Sequence, residues 1–239
     1  SKYVAYETQK GRTPVDAKIT RFGSFYGTML LVDANSTLEF GKIIMEGGAD
    51  VISLGRLNYP MIRARISSRC ILSGNTSLQK GYPEIIRSEG NVEMNGNADD
   101  KNEQIKGVYG TGIYLLSDAS LEMNGYSRID LSDAVVSSSI SDNRGVFLLE
   151  GKVTLNDESS ICATKKLDFA TGISSINNTK SQKNELYIND DASIKGLHVG
   201  IESTGYNTNI VMSGNSVIES CDNGISQLGA ILLMKDDAA

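Results

Sequence analysis

Two groups of residues have the types and spacing to do chemistry. The first is a set of carboxylates, Glu39, Glu93 and Glu122, each second in a short apolar phrase: L-E-F, V-E-M and L-E-M. If Glu93 and Glu122 fall on neighbouring strands, their carboxylates stand about 5 Å apart, which suits a retaining glycosidase pair or a calcium site. The alternative is a solvated polar face that keeps a sheet soluble. The second group is basic. Residues 51–83 contain no Asp or Glu, yet hold Arg56, Arg63, Arg65, Arg69 and Lys80. Guanidiniums in such a run can grip carboxylates or sulfates bidentately, or can simply be solvated arginines on a sheet face.

Other chemistries find little support. His198 is the single histidine, and Cys70, Cys162 and Cys221 are far apart with no C-x-x-C pair. Three such cysteines make neither a disulfide framework nor a zinc site. No glycine-rich phosphate loop or Ser/His/Asp constellation is present. β-Helical polysaccharide lyases pair a calcium-binding acid cluster with a basic residue, and no such grouping is evident. Asp99-Asp100, Asp190-Asp191 and Asp236-Asp237 occupy loops or corners, where Asp hydrogen-bonds locally. No cofactor is expected, with calcium left open at those pairs. Tyr59, Tyr82, Tyr126, Tyr187 and Tyr206 could stack against sugar rings or cover aliphatic stems.

The elements that position these residues follow from composition and repetition. The chain has 239 residues, net charge −6, no Trp and only three Pro, and is rich in Gly, Ser, Asn and Asp. That mixture favours short strands joined by tight turns. A net negative charge argues against nucleic-acid binding, and no apolar stretch is long enough to span a bilayer.

One phrase keeps returning: apolar, any, apolar, Asn or Ser, Gly or Asp, any, Ser or Ala, any, Ile. It reads LEMNGYSRI from Leu121, VTLNDESSI from Val153, LYINDDASI from Leu186, IVMSGNSVI from Ile210, and begins again at Leu232. Weaker copies start at Val92 and Ser36, and ILSGNTSL from Ile71 is shifted in register. Successive clear starts differ by 32, 33, 24 and 22 residues. Fixed strands with variable loops give that scatter. A Gly-aliphatic pair leads each copy, at Gly112, Gly145, Gly172, Gly200 and Gly224.

The expected fold is all-β: a right-handed parallel β-helix of about seven three-strand rungs. Alternation within each strand puts Leu121 and Met123 inside and Glu122 outside. The Asn-Gly and Asn-Asp steps mark corners, because Asn, Asp and Gly tolerate a left-handed backbone. Stacking should place Leu121, Leu155, Ile188 and Met212 in an internal file, and Glu39, Glu93, Glu122, Thr154, Tyr187 and Val211 in an outward one. An antiparallel sandwich built from hairpins at the same turns is the competing architecture.

The stretch GTGIYLLSDASLEMNGYSRIDLSDA, residues 110–134, resembles the repeats of large surface and adhesin-like proteins of Gram-positive gut bacteria. Their unit runs Gly-Gly-Gly-Val-Tyr-Val, then Gly-Gly-Thr-Phe-Thr-Met-Asn-Gly-Gly, then Thr-Ile-Ser-Gly-Asn. GAILLM near the end is similar to the repeats of polymorphic outer-membrane proteins. The similarity covers residues from about 24 onward and is clearest over 107–239. It implies a pectin-lyase-like β-helix exposed at a cell surface. This chain departs from the unit in having few Gly-Gly pairs.

The sequence is read as one β-helix domain over 1–239. Residues 1–23 are expected to form a cap or lead-in, and the C-terminal end is expected to continue into a longer array and further domains of a parent chain. The functional expectation is a secreted or cell-surface binding or adhesion module, rather than an enzyme, that presents flat faces to a host protein or glycan. Arg56, Arg63, Arg65 and Arg69 are the candidate ligand-binding residues. A polysaccharide lyase or glycoside hydrolase using Glu93 and Glu122, and a purely structural stalk, are the alternatives. Neither nucleic acid nor membrane insertion is expected.

Overall fold

A computed structural model of the chain describes residues 17–20, 28–41, 43–46, 59–74, 76–98, 104–134, 143–177 and 179–239. Every strand pairing among them is parallel. Hairpins would alternate direction, so the antiparallel alternative is excluded. The chain is a β-solenoid.

Three ladders make up the coil. The first carries Ile62–Ala64, Glu84–Ser88, Thr111–Leu115 and Asn143–Leu148 among others, the last two with the Gly-aliphatic pair. The second carries the repeated phrase on eight strands: Thr37–Phe40, Arg69–Ser73, Asn91–Gly96, Ala119–Gly125, Gly151–Leu155, Asn184–Ile188, Thr208–Met212 and Ala230–Met234. The third carries the closing Ile or Leu, as in Ser77–Gln79, Arg128–Asp130 and Val217–Glu219. Ala17–Thr20 joins this third ladder beside Ile43–Glu46. Two long strands, Ser160–Asn177 and Ser193–Gly205, run from the third ladder round a corner into the first.

Aliphatic side chains fill the interior in continuous files. In the second ladder there are two. One runs Leu38, Cys70, Val92, Leu121, Val153, Leu186, Ile210, Leu232; the other runs Phe40, Leu72, Met94, Met123, Leu155, Ile188, Met212, Met234. The expected file of Leu121, Leu155, Ile188 and Met212 is therefore split between two, because Leu121 stacks on Val153 and it is Met123 that stacks on Leu155. Two residues along a strand share a face but not a file. The file from Cys70 to Ile210 is buried throughout, and each fully buried Leu or Ile contributes about 1.5–3 kcal/mol.

The apparent slip at Ile71 also resolves. Cys70 pairs with Val92 and Leu72 with Met94, so the phrase begins at Cys70 and reads CILSGNTSL without a shift. Cysteine, fully buried here, serves as the small hydrophobe.

The corners divide two roles between the Asn and the residue that follows it. Left-handed backbone falls on the residue after the Asn: Gly125 (φ 60°), Asp157 (56°) and Asp190 (57°). The Asn side chains instead form their own ladder. Asn124 donates to Asn95 Oδ1 (3.1 Å), Asn156 to Asn124 (2.9 Å) and Asn189 to Asn156 (2.9 Å), and Ser213 Oγ donates to Asn189 (2.9 Å). The corner acids cap the previous turn, with Asp157 accepting from the Gly125 N–H (2.8 Å) and Asp190 from the Asp157 N–H (3.3 Å). The small residues of the phrase, Ser127, Ser159, Ala192 and Ser216, are fully buried beside this corner.

Candidate functional site

A filled interior leaves the outer faces to carry any chemistry. On the second-ladder face one outward file runs Glu39, Ile71, Glu93, Glu122, Thr154, Tyr187, Val211, Leu233. The expected file is thus present with Ile71 and Leu233 added. Glu93 and Glu122 are direct register partners on adjacent strands, a spacing of about 4.8 Å. Arg69 sits in the neighbouring outward column and forks onto Glu93, with Nε to Oε1 at 2.6 Å and Nη2 to Oε2 at 2.7 Å. The hydrogen-bonded Glu93 carboxylate raises the Arg69 pKa, and the charges of Glu39 and Glu122 add to the effect. The result is one guanidinium among three carboxylates on an open surface. Further along, Lys152 Nζ lies 4.9 Å from the centroid of the Tyr187 ring.

The arginines of the acid-free run do not form one patch. Arg63 lies on the first ladder and pairs with Glu89 at 3.3 Å. Arg65, just past that strand, pairs with Asp33 at 2.9 Å. Arg69 faces outward from the second ladder. The acids come from neighbouring turns, 24 to 32 residues away in sequence, so the local excess of positive charge in the sequence is compensated in space. The Asp33 carboxyl is held below the usual carboxylate range by the Ala34 N–H and by Arg65. Arg56, Asp99 and Asp100 lie outside the described residues.

The first-ladder face carries a further file, outside the residues expected to form a site. Leu31, Arg63, Arg87, Tyr114, Phe147, Ser174 and Glu202 occupy successive strands. The Tyr114 and Phe147 rings are 4.8 Å apart at 55°. The Arg87 guanidinium is 5.3 Å from the Tyr114 centroid, and that of Arg144 is 4.9 Å from the Phe147 centroid. Arg87 also pairs with the nearly buried Glu84. Burial is the main cause that raises the Tyr114 pKa. A signal for the later part of this file existed: Tyr114, Phe147, Ser174 and Glu202 each directly follow the aliphatic of a leading Gly-aliphatic pair.

Elsewhere the surface is shallower in content. His198 Nδ1 is 3.0 Å from Asp222 Oδ2. Asp191 accepts from Asn215 (2.8 Å) and Asp236 from the Gly214 N–H (3.2 Å), so these acids brace corners. A depression of about 590 Å³ on the third-ladder face is lined by Arg128, Cys162, Thr164, Lys195 and Cys221. Among the described residues no three His, Cys, Asp or Glu side chains group to hold a metal ion.

Comparison with family models, with curated proteins and with solved structures finds no match.

Proposed function

We propose that this chain is a non-catalytic binding module of a secreted or cell-surface protein, and that its flat ladder faces hold an extended glycan. The reading includes the right-handed, pectin-lyase-like form that the repeats resemble, and places the chain among surface and adhesin-like proteins. The observation that carries it is the stacking of outward side chains into files on two faces, with carboxylates, guanidiniums and aromatic rings on successive strands in each. A ligand that repeats along its own axis meets such a file with several equivalent contacts, each weak alone and together specific. Aromatic and guanidinium groups fixed on strands are already ordered, which lowers the entropic cost of binding.

A glycan array probed with the purified chain tests this, followed by incubation with each glycan retained and assay for new reducing ends. Binding without release is expected. No retention of any glycan leaves only the stalk reading. Release of reducing ends makes the chain an enzyme, and Glu93 and Glu122 then become the first pair to exchange for Gln.

A further inference from the structure

We infer that the exposed turn from Asp33 to Thr37 is an acceptor site for an N-linked glycan, with Asn35 taking the sugar and Asp33 marking it for the transferase. This rests on the secreted or cell-surface reading, because such transferases act on the outer side of a membrane.

Three Asn-x-Ser/Thr triplets occur in the sequence, at Asn35, Asn75 and Asn177. A triplet is a short pattern, and its structural context decides whether it counts. Asn177 is fully buried, pairs with Gly205 in the ladder, and donates its amide to the Gln182 carbonyl at 2.9 Å. Asn75 lies outside the described residues, and the Ser77 of its triplet is buried. The first triplet differs. Every residue from Asp33 to Thr37 is exposed, and the Ser36 N–H closes a turn onto the Asp33 carbonyl at 3.1 Å. Asn35 holds the left-handed position of that turn (φ 59°), which asparagine tolerates. The flanking strands, Leu30–Val32 and Thr37–Phe40, end the first and second ladders of the described residues, each with one strand neighbour. A transferase must take several residues around its asparagine into a groove. An edge turn yields them at the loss of one set of ladder bonds instead of two.

Asp33 narrows the class of enzyme. It stands two residues before Asn35, where the other triplets have Ser73 and Ser175. Some bacterial oligosaccharyltransferases require an acid at that position and hold it by a charge-assisted pair. In the folded chain Asp33 pairs with Arg65 at 2.9 Å, with side chains 65% and 50% exposed. Exposed ion pairs contribute little, so the carboxylate readily exchanges Arg65 for a cation of the enzyme. In the transfer the Asn35 amide nitrogen attacks the anomeric carbon of a polyprenyl-pyrophosphate-linked oligosaccharide. The N–C1 bond forms, the C1–O bond to pyrophosphate breaks, the amide gives up one proton, and polyprenyl pyrophosphate leaves.

The test incubates the purified, folded chain with membrane vesicles that carry an acid-requiring oligosaccharyltransferase and its lipid-linked oligosaccharide. An Asp-x-Asn-x-Thr peptide is the acceptor control. Peptide mapping by mass spectrometry should find one glycan, on Asn35. Asn35→Asp, which also suits a left-handed turn, and Thr37→Val should take none, whereas Thr37→Ser should keep it. Asp33→Ala should slow transfer about tenfold or more, the scale of one charge-assisted contact. Arg65→Ala frees Asp33 and should speed transfer by up to about fivefold. A folded chain left bare while the peptide is glycosylated overturns the inference, as does transfer that needs the chain unfolded. A glycan on Asn75 or Asn177 in place of Asn35, or full-rate transfer in Asp33→Ala, overturns it too. Fractionation of the cells that make the protein tests the broader reading separately. A chain confined to the cytoplasm sinks the secreted reading, and the transfer assay judges the acceptor turn on its own.

Discussion

A Cβ added to Gly145 would lie 2.6 Å from Cγ2 of Ile161 and 2.7 Å from the carbonyl oxygen of Gly172. Gly145 sits on the first ladder and Ile161 on the third, so the missing side chain of one is the space occupied by the other. The relation repeats: Gly172 faces Ile194, and Gly200 faces Ile218. The leading glycine and the closing isoleucine of the repeat are two halves of one packing contact.

Gly145→Ala should therefore destabilise the chain by about 1–3 kcal/mol, the usual cost of overpacking, although alanine would otherwise gain from a less flexible unfolded state. Combining it with Ile161→Ala should cost less than the sum of the two single changes, since removing the methyl relieves one of the two close contacts of the new Cβ. Chemical denaturation of the four proteins measures this. Additive losses would mean that the two residues are not coupled.

The asparagine ladder makes a different demand. Asn156 donates to Asn124 and accepts from Asn189, so Asn156→Ala takes one hydrogen bond from the Asn124 carbonyl oxygen and one from the Asn189 amide N–H. A loss of about 1–3 kcal/mol is expected. Asn156→Asp adds a pH dependence with a defined sign. Its carboxylate would face the Asn124 carbonyl oxygen, which disfavours the charged form and raises the folded-state pKa above the unfolded value. The variant should then be most stable below the unfolded pKa and lose stability as pH rises through the folded pKa. Thermal melts from pH 3 to 8 decide it, and a flat profile, or one falling toward acid, would remove the ladder's role.

Thiol labelling reads the core directly. Burial pushes the Cys70 thiol up to about 12, and burial likewise raises Cys162. At pH 8 about one Cys70 in ten thousand is thiolate, and that one is enclosed. Cys221 is only half-buried, its thiol donating to the Glu219 carbonyl (3.4 Å). Native protein treated with iodoacetamide should take one label, at Cys221, and denatured protein three. Rapid native labelling at Cys70 would contradict its place in the inner file.

The sequence by itself determined the coil. Period-two alternation and a recurring nine-residue phrase are backbone-scale regularities, and they set which residue of each strand turns inward, from Leu121 to Ile210. The outward file of Glu93 and Glu122 was legible for the same reason, since strand period and register are both integers. What only the tertiary structure decided lies between turns. Arg63, Arg65 and Arg69 look like a basic patch in sequence, yet each meets an acid more than twenty residues away. The pairing of Gly145 with Ile161 and the row from Arg63 to Phe147 likewise depend on which loops are long and which strands therefore become neighbours. A solenoid fixes side-chain direction locally but assembles its surfaces from residues one turn apart, and the length of each turn is set by loops that carry no periodic signal.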